Sequence, residues 1–307
     1  MFVVETSNVS FRYGQQEALQ NVSFSVERNQ IFGLLGPNGG GKTTLFRILC
    51  TLLVPDQGSA KVAGVDVKDN PREVRRLIGV VFQSNSLDLE LTSEENLFHQ
   101  GRLYGLRGGE LKRRVEALMG RFGLESRKRD LVRTLSGGLR RRLELVKGLL
   151  HSPQILILDE PTSGLDPGAR LDFWQHLKTL RAEEGITILF TTHLMEEAER
   201  CDHLVILSGG QVVAYGTPAA LKEKIGGDVI VIQTPDPESL RGLIGEQFGC
   251  EPRVVDGTLR LERPRGYELA AKIMESYPQQ IEAVSVGKPT LEDVFVHETG
   301  HRFAEKG

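Results

Sequence analysis

The sequence predicts an α/β fold: a mixed, mostly parallel sheet with antiparallel N-terminal strands and a helical insertion, plus a small C-terminal α+β domain. Three observations carry this. Apolar runs of strand length, LIGVVFQ from Leu77, Ile155–Leu158 and Ile186–Phe190, are separated by stretches of helical periodicity. Residues 92–134 lose all strand character and become charged and amphipathic, as in ELKRRVEALMGRFG. Near Ile225-Gly226-Gly227 the pattern restarts with a new set of strands and helices.

Taken in order, residues 2–35 alternate as short strands, VSFRYG and then VSFSVERNQIFGLLG. Gly36–Thr44 interrupts, and Leu45, Ile48, Leu49 and Leu52 recur at helical spacing until Pro55. A buried strand from Leu77 ends at Gln83 and leads into a helical subdomain over about 92–150. Alternation then resumes with the strand Ile155–Leu158, a helix around Leu171–Leu180, the strand Ile186–Phe190, a helix starting near His193 and a hairpin, VILSGGQVVAYG. Residues 1–225 form the first domain on this reading, and 226–307 the small second one. Within the latter, DVIVIQT, VVDGTLRLERP and IEAVSVG read as strands, ESLRGLIGEQFG and YELAAKIMESY as helices. A last helix, capped by Thr290, is expected to pack Leu291, Val294 and Phe295 on that unit's own core. No internal repeat is visible.

Composition narrows the class. A hydrophobic content of 39%, charged residues at 26% and a net charge of −3 describe an ordinary globular chain and give no push toward nucleic acid. Cys50, Cys201 and Cys250 are scattered without metal-type pairing, which fits a reducing compartment. The start, MFVVETSNVSF, lacks the basic region and long apolar core of a signal peptide, and no apolar run approaches the ~18 residues that span a bilayer. A role at a membrane must come from a partner.

The chemistry lies in a few motifs. GPNGGGKT, Gly36–Thr43, fits G-x-x-x-x-G-K-[ST] between a strand and a helix, the P-loop NTPase arrangement. Gly36, Asn38, Gly39, Gly40 and Gly41 let backbone N–H groups turn inward around a triphosphate, and the helix N-terminus adds its positive dipole end. Lys42 would reach the β- and γ-phosphates, with Thr43 holding Mg²⁺ and Thr44 counted with the ATP-binding residues. Ile155–Glu160 is an apolar strand ending in two acids, at the end where ligands bind in open α/β sheets. Asp159 is placed for the magnesium shell, and Glu160, ahead of Pro161, to accept a proton from an attacking water. In LSGG, Leu135–Gly138, Ser136 can cap the helix that follows, and Gly137 and Gly138 let a phosphate approach its N–H groups. Arg140, Arg141 and Arg142 crowd that helix's first turn against its dipole. Either an anion sits in front of them, or they form a solvated face.

GPNGGGKTT, Gln83 after a strand, LSGG, ILILDEP, SGLD at Ser163–Asp166 and His193 after TILFTT stand in the order found in the ATP-binding cassette family, which residues 1–225 resemble. That resemblance implies an ATPase subunit that dimerises around ATP and drives a separate membrane permease. It implies that Tyr13 stacks on adenine, that Gln83 senses the γ-phosphate through Mg²⁺ and water, and that His193 contacts the γ-phosphate. Ser136, Gly137 and Gly138 would touch ATP held by the partner subunit, and Asp166 would link the two sites. The partner is taken as a second, identical chain, and the place as the cytoplasmic face of the cell membrane. Leu139 stands where the family usually has glutamine, and Thr43, chemically equivalent for magnesium, where serine is commoner. The tail PTLEDVFVHETG is similar to ATPase subunits of drug-resistance exporters of the daunorubicin type. The competing reading is a soluble family member uncoupled from any permease. Its DNA-acting form is opposed by the lack of long heptads, and its ribosome-acting form by the single cassette. Intact Glu160 and His193 oppose a non-hydrolysing sensor. No N/T-K-x-D motif follows, which disfavours GTP. The C-terminal unit is read as regulatory or dimer-supporting.

Overall fold

The computed structural model describes residues 1–303, so the last four residues of the expected second unit lie outside it. A four-stranded antiparallel sheet, in the order β2-β1-β4-β5, is built from β1 (Phe2–Tyr13), β2 (Gln16–Glu27), β4 (Gln57–Val62) and β5 (Val65–Asp66). The N-terminal strands are long, twelve residues each, where the alternation had suggested short ones. Register shifts keep their alternation in phase with the core.

A six-stranded sheet, β10-β9-β3-β8-β7-β6, forms the centre. It contains β3 (Ile31–Leu35), β6 (Ile78–Val81), β7 (Ile155–Asp159), β8 (Thr187–Thr192), β9 (His203–Ser208) and β10 (Gln211–Gly216). Only β10 runs antiparallel to its neighbour. Every residue of β3, β7 and β8 is buried, because a parallel sheet is covered on both faces. Alternate residues accordingly serve two cores. Ile155 and Ile157 face the antiparallel sheet together with α1 (Lys42–Leu49) and α2 (Pro71–Leu77), whereas Leu156 and Leu158 face the helical layer.

That layer holds α3 (Ser93–Leu103), α4 (Gly108–Arg121), α5 (Gly137–Leu149) and α6 (Pro167–Glu184). Thr92 and Glu95 form a reciprocal capping box that starts α3. Leu111, Val115, Leu118 and Met119 lay one stripe of α4 on the core. The helix expected near His193 is a single turn, α7 (Met195–Ala198). Within it Glu197 is drawn inward, accepting from the Thr162 and Thr192 hydroxyls.

Beyond α8 (Pro218–Glu223) a third sheet, β12-β13-β11-β14, is antiparallel throughout. It consists of β11 (Asp228–Gln233), β12 (Arg253–Val255), β13 (Thr258–Arg263) and β14 (Ala283–Gly287). Helices α9 (Pro237–Phe248) and α10 (Gly266–Ser276) cover Ile230, Ile232, Leu259 and Leu261 on one face. The last helix, α11 (Leu291–Thr299), carries the expected Thr290 cap. Its destination corrects the sequence reading. Leu291, Val294 and Phe295 join Leu35, Ala198, Leu204, Ile206 and Leu221 of the central sheet and its flanking helices, together with Val229 of β11, and not the core under α9 and α10, so the helix packs between the two units.

Candidate functional site

The loop between β3 and α1 is shaped by backbone needs. Gly41 caps α1 at φ +101°, with no side chain accepting from the helix, and a β-carbon there would meet the Ala18 carbonyl at 2.8 Å. Gly36 lies so close to Leu207 that a β-carbon would sit 2.5 Å from its carbonyl oxygen. The first N–H groups of α1 are left for a ligand. Lys42 is buried at 4% exposure and donates to the Gly36 carbonyl at 2.7 Å and the Pro37 carbonyl at 3.0 Å. Burial pulls its pKa down, opposed by the nearby carboxylates of Glu160 and Asp159.

A cleft of about 250 Å³ opens over this loop. Tyr13, Asn38, Gly39, Gly40, Gly41, Lys42, Thr43, Thr44, Gln83 and Glu160 all line it. Tyr13 is 43% exposed, packs edge-on against Phe11, and accepts from Arg47 at 3.4 Å. Its ring is thus presented at the mouth of the cleft. Gln16, Glu17 and Ala18 also line it, and motif reading missed them. The available signal was the hairpin turn at Gly14, which carries the chain back past Tyr13.

At the end of β7, Asp159 is buried and accepts from the Thr191 hydroxyl at 2.6 Å. Burial raises its pKa, with the Thr191 hydrogen bond pulling the other way. Glu160 takes a left-handed backbone, φ +42°, which in a non-glycine residue stores roughly 1–3 kcal/mol of strain and collects at functional sites. Its N–H donates to the Thr191 hydroxyl at 2.9 Å. Its carboxylate is approached by His193 Nδ1 at 3.1 Å, by the Gln83 amide N–H at 3.3 Å and by Lys42 Nζ at 3.7 Å. Residues spread from 42 to 193 therefore converge on one carboxylate.

The remaining expected residues lie elsewhere. Ser136 and Gly137 are exposed at the start of α5, where Ser136 Oγ accepts from Leu139 N at 3.4 Å as the sequence predicts. Asp166 caps α6, its carboxylate accepting from Ala169 N at 2.9 Å. A β-carbon at Gly138 would approach Ala169 to 3.0 Å, so the two helix starts abut, outside the cleft. Leu139 packs half-buried against the helical-layer core. Two of the arginines are also explained. Arg140 donates to the carbonyls of Val132 and Arg133, and Arg141 is buried among carbonyls, so neither depends on an anion in front of the helix or on solvent.

A hard divalent cation fits the donors present: the Thr43 hydroxyl, the Gln83 amide oxygen and the Asp159 carboxylate. Among the described residues no group of three or more His, Cys, Asp or Glu forms a protein cage, so phosphate oxygens would complete such a shell.

Comparison with known proteins agrees. Residues 19–163 match the family model described as ABC transporter. The chain is 40% identical to the Nod factor export ATP-binding protein I of Ralstonia nicotianae, over 84% of this chain and 85% of that one. It is 41% identical to the "Probable multidrug ABC transporter ATP-binding protein YbhF" of Escherichia coli, over 76% of this chain and 40% of that one. A solved dimeric ATP-binding cassette in a post-hydrolysis state, bound to ADP and phosphate, superposes with a TM-score of 0.63 at 28% identity, covering 70% of this chain and 98% of that one. No helix among the described residues is long and apolar enough to cross a membrane. The cleft over a phosphate loop, the strand-end acids and these likenesses together establish that the chain belongs to the ATP-binding cassette transporter family, as an ATP-binding, ATP-hydrolysing subunit of its exporter branch.

Proposed function

We propose that two copies of this chain close on ATP and Mg²⁺ at the cytoplasmic face of a membrane and drive a separate permease, with Glu160 activating the attacking water. The observation that carries this is the convergence of Lys42, Gln83 and His193 on the Glu160 carboxylate at the open N-terminus of α1. Lys42 donates to the carbonyls of its own loop. A bound triphosphate offers it a stronger, charged acceptor, and the freed loop groups close around the β- and γ-phosphates. Tyr13 stacks on the base, Gln83 and His193 orient the γ-phosphate and water, and Glu160 accepts the water's proton. Thr43, Gln83 and Asp159 hold the magnesium, which when bound neutralises phosphate charge. The exposed N-terminus of α5, Ser136–Gly138, serves the ATP of the second copy, and Asp166 beside it links the two. Residues 226–307 act as a supporting or regulatory unit behind the 1–225 cassette. The Ralstonia relative serves Nod factor export, and export is the direction we assign to this chain.

The test is the Glu160→Gln variant with ATP, with and without Mg²⁺, followed by sedimentation. Turnover should fall by ~10²–10⁴, the usual worth of a general base, and the stalled chain should accumulate as an ATP-dependent dimer. Near-normal hydrolysis would remove Glu160 from the role, and a persistent monomer would remove the second copy.

A further inference from the structure

Arg141 is the least ordinary side chain in the molecule outside the cleft. It is the fifth residue of α5, just past the first turn and still towards the helix's positive end, and it is buried to 8% exposure. Nothing there repays a buried guanidinium except its partners, and they account for all five of its N–H donors. Nε donates to the Pro161 carbonyl at 2.5 Å. One terminal nitrogen donates to the Phe82 carbonyl and to Glu144 Oε2, both at 2.6 Å. The other donates to the carbonyls of Asp159 and Glu160, each at 3.2 Å. Glu144, itself 4% exposed, also accepts from Ser86 N at 2.8 Å.

Three segments meet on this one side chain. Phe82 and Ser86 bracket Gln83, and Asp159–Pro161 carry the strand-end acids. The helix that bears Arg141 begins with the exposed Ser136–Gly138. Glu160 is the residue in the strained left-handed conformation, and its peptide groups are held on both sides: the N–H by Thr191 and the C=O by Arg141. The same carbonyl accepts from Ser163 N at 3.1 Å within the turn, so Arg141 is the contact that ties this turn to α5, and losing it loosens the support beneath the carboxylate that faces His193 and Gln83.

We propose that Arg141 is a positioning residue for hydrolysis: its forked guanidinium holds Glu160 in its strained turn and fixes that turn and the Gln83 strand exit to the helix facing the second ATP. This rests on the assignment of Glu160 as the general base. Lysine is no substitute, since one ammonium keeps the ion pair with Glu144 but cannot span Phe82 and three successive carbonyls.

The test compares Arg141→Lys with the wild-type chain for ATP affinity, melting temperature and single-turnover hydrolysis. The expected result is a turnover lower by ~10–100-fold, the effect of a catalytic group misplaced by about an ångström, with ATP affinity within about threefold and no matching loss of melting temperature. Wild-type turnover in Arg141→Lys would overturn the proposal, because the ion pair alone would then suffice. So would a loss that merely tracks a lowered melting temperature. Should the lysine variant fail to fold, the double variant Arg141→Met with Glu144→Gln removes both charges together and decides on the same readouts. Glu160→Gln run alongside separates the two claims: normal turnover there overturns the base assignment and this proposal with it. Lost turnover there beside normal turnover in Arg141→Lys overturns only the role of Arg141.

Discussion

Two helices of this chain begin on glycine-rich turns, and they treat their free N–H groups differently. Helix α1 starts from Gly41 with no side chain accepting from its first turn, and its entrance is buried under the cleft. Helix α5 starts from Ser136, whose hydroxyl already accepts from Leu139 N, and its entrance is open to solvent. A glycine-capped N-terminus facing a cleft keeps its N–H groups available to an anion, whereas one capped by its own serine has part of that capacity answered within the chain. On the proposed reading the first receives the chain's own nucleotide, and the second, exposed at the surface, receives a partner's.

The sharpest way to break this contrast is Lys42→Ala. On the proposed reading, α1 loses the one cation aimed at its ligand, and turnover should drop on the order of 10²–10³, the cost of removing a preorganised charge-stabilising donor. Unchanged ATP affinity and turnover in a steady-state assay would mean that the unanswered donors of α1 do not receive phosphate. The α5 side calls for a gentler probe. Ser136→Ala should destabilise the nucleotide-free chain by ~1 kcal/mol in denaturant melts, and Ser136→Gly by only a few tenths, because glycine caps tolerably without a hydroxyl. Equal stability for both variants and the wild type would show that the serine does not complete the helix by itself.

The smallest effect concerns the far end of α5. His151 follows that end, its Nε2 lies 2.8 Å from the Ile78 carbonyl, and its ring stacks on Tyr104 at 3.8 Å. Burial pulls its pKa below the usual 6.5, and burial does the same for His176. The folded chain therefore prefers both rings neutral, while the unfolded chain takes up protons near 6.5. Their contribution to stability is complete above that value and is lost as pH falls through the lowered folded pKa. Thermal melts should show a midpoint declining below about pH 6.5, and His151→Gln should flatten part of the decline. A midpoint that rises on acidification would reverse the sign assigned to these two groups.

Most of the cleft was legible in the sequence because its spacing is local. Gly36–Thr44 and Ile155–Glu160 each sit within one strand-to-loop unit, so residue order alone nearly fixes their geometry. Gln83 and His193 were legible through the order of motifs, since each follows a strand of the same parallel sheet. The sites of Arg140 and Arg141 were not. Their partners are backbone carbonyls, which every residue possesses, so no pattern of side chains could announce them. The same reason hid the turn at Glu160, which is held by Thr191 and Arg141 as well as by the local bond from Ser163 N. The target of α11 failed differently. Apolar residues at positions 291, 294 and 295 say that one face is covered, but spacing never says by what.

The burial of Phe295 against Leu35 also bears on how the chain comes into being. Leu35 is the last residue of β3, immediately before the phosphate loop, and it shares a core with residues synthesised some 260 positions later. Part of that core, Ala198, Leu204, Ile206 and Leu221, comes from the cassette itself, and α11 adds its remaining wall. Contacts of such long sequence separation close late and slowly. The footing of the ATP loop is thus shared between segments far apart in sequence, so a change in α11 can reach the strand that carries the loop.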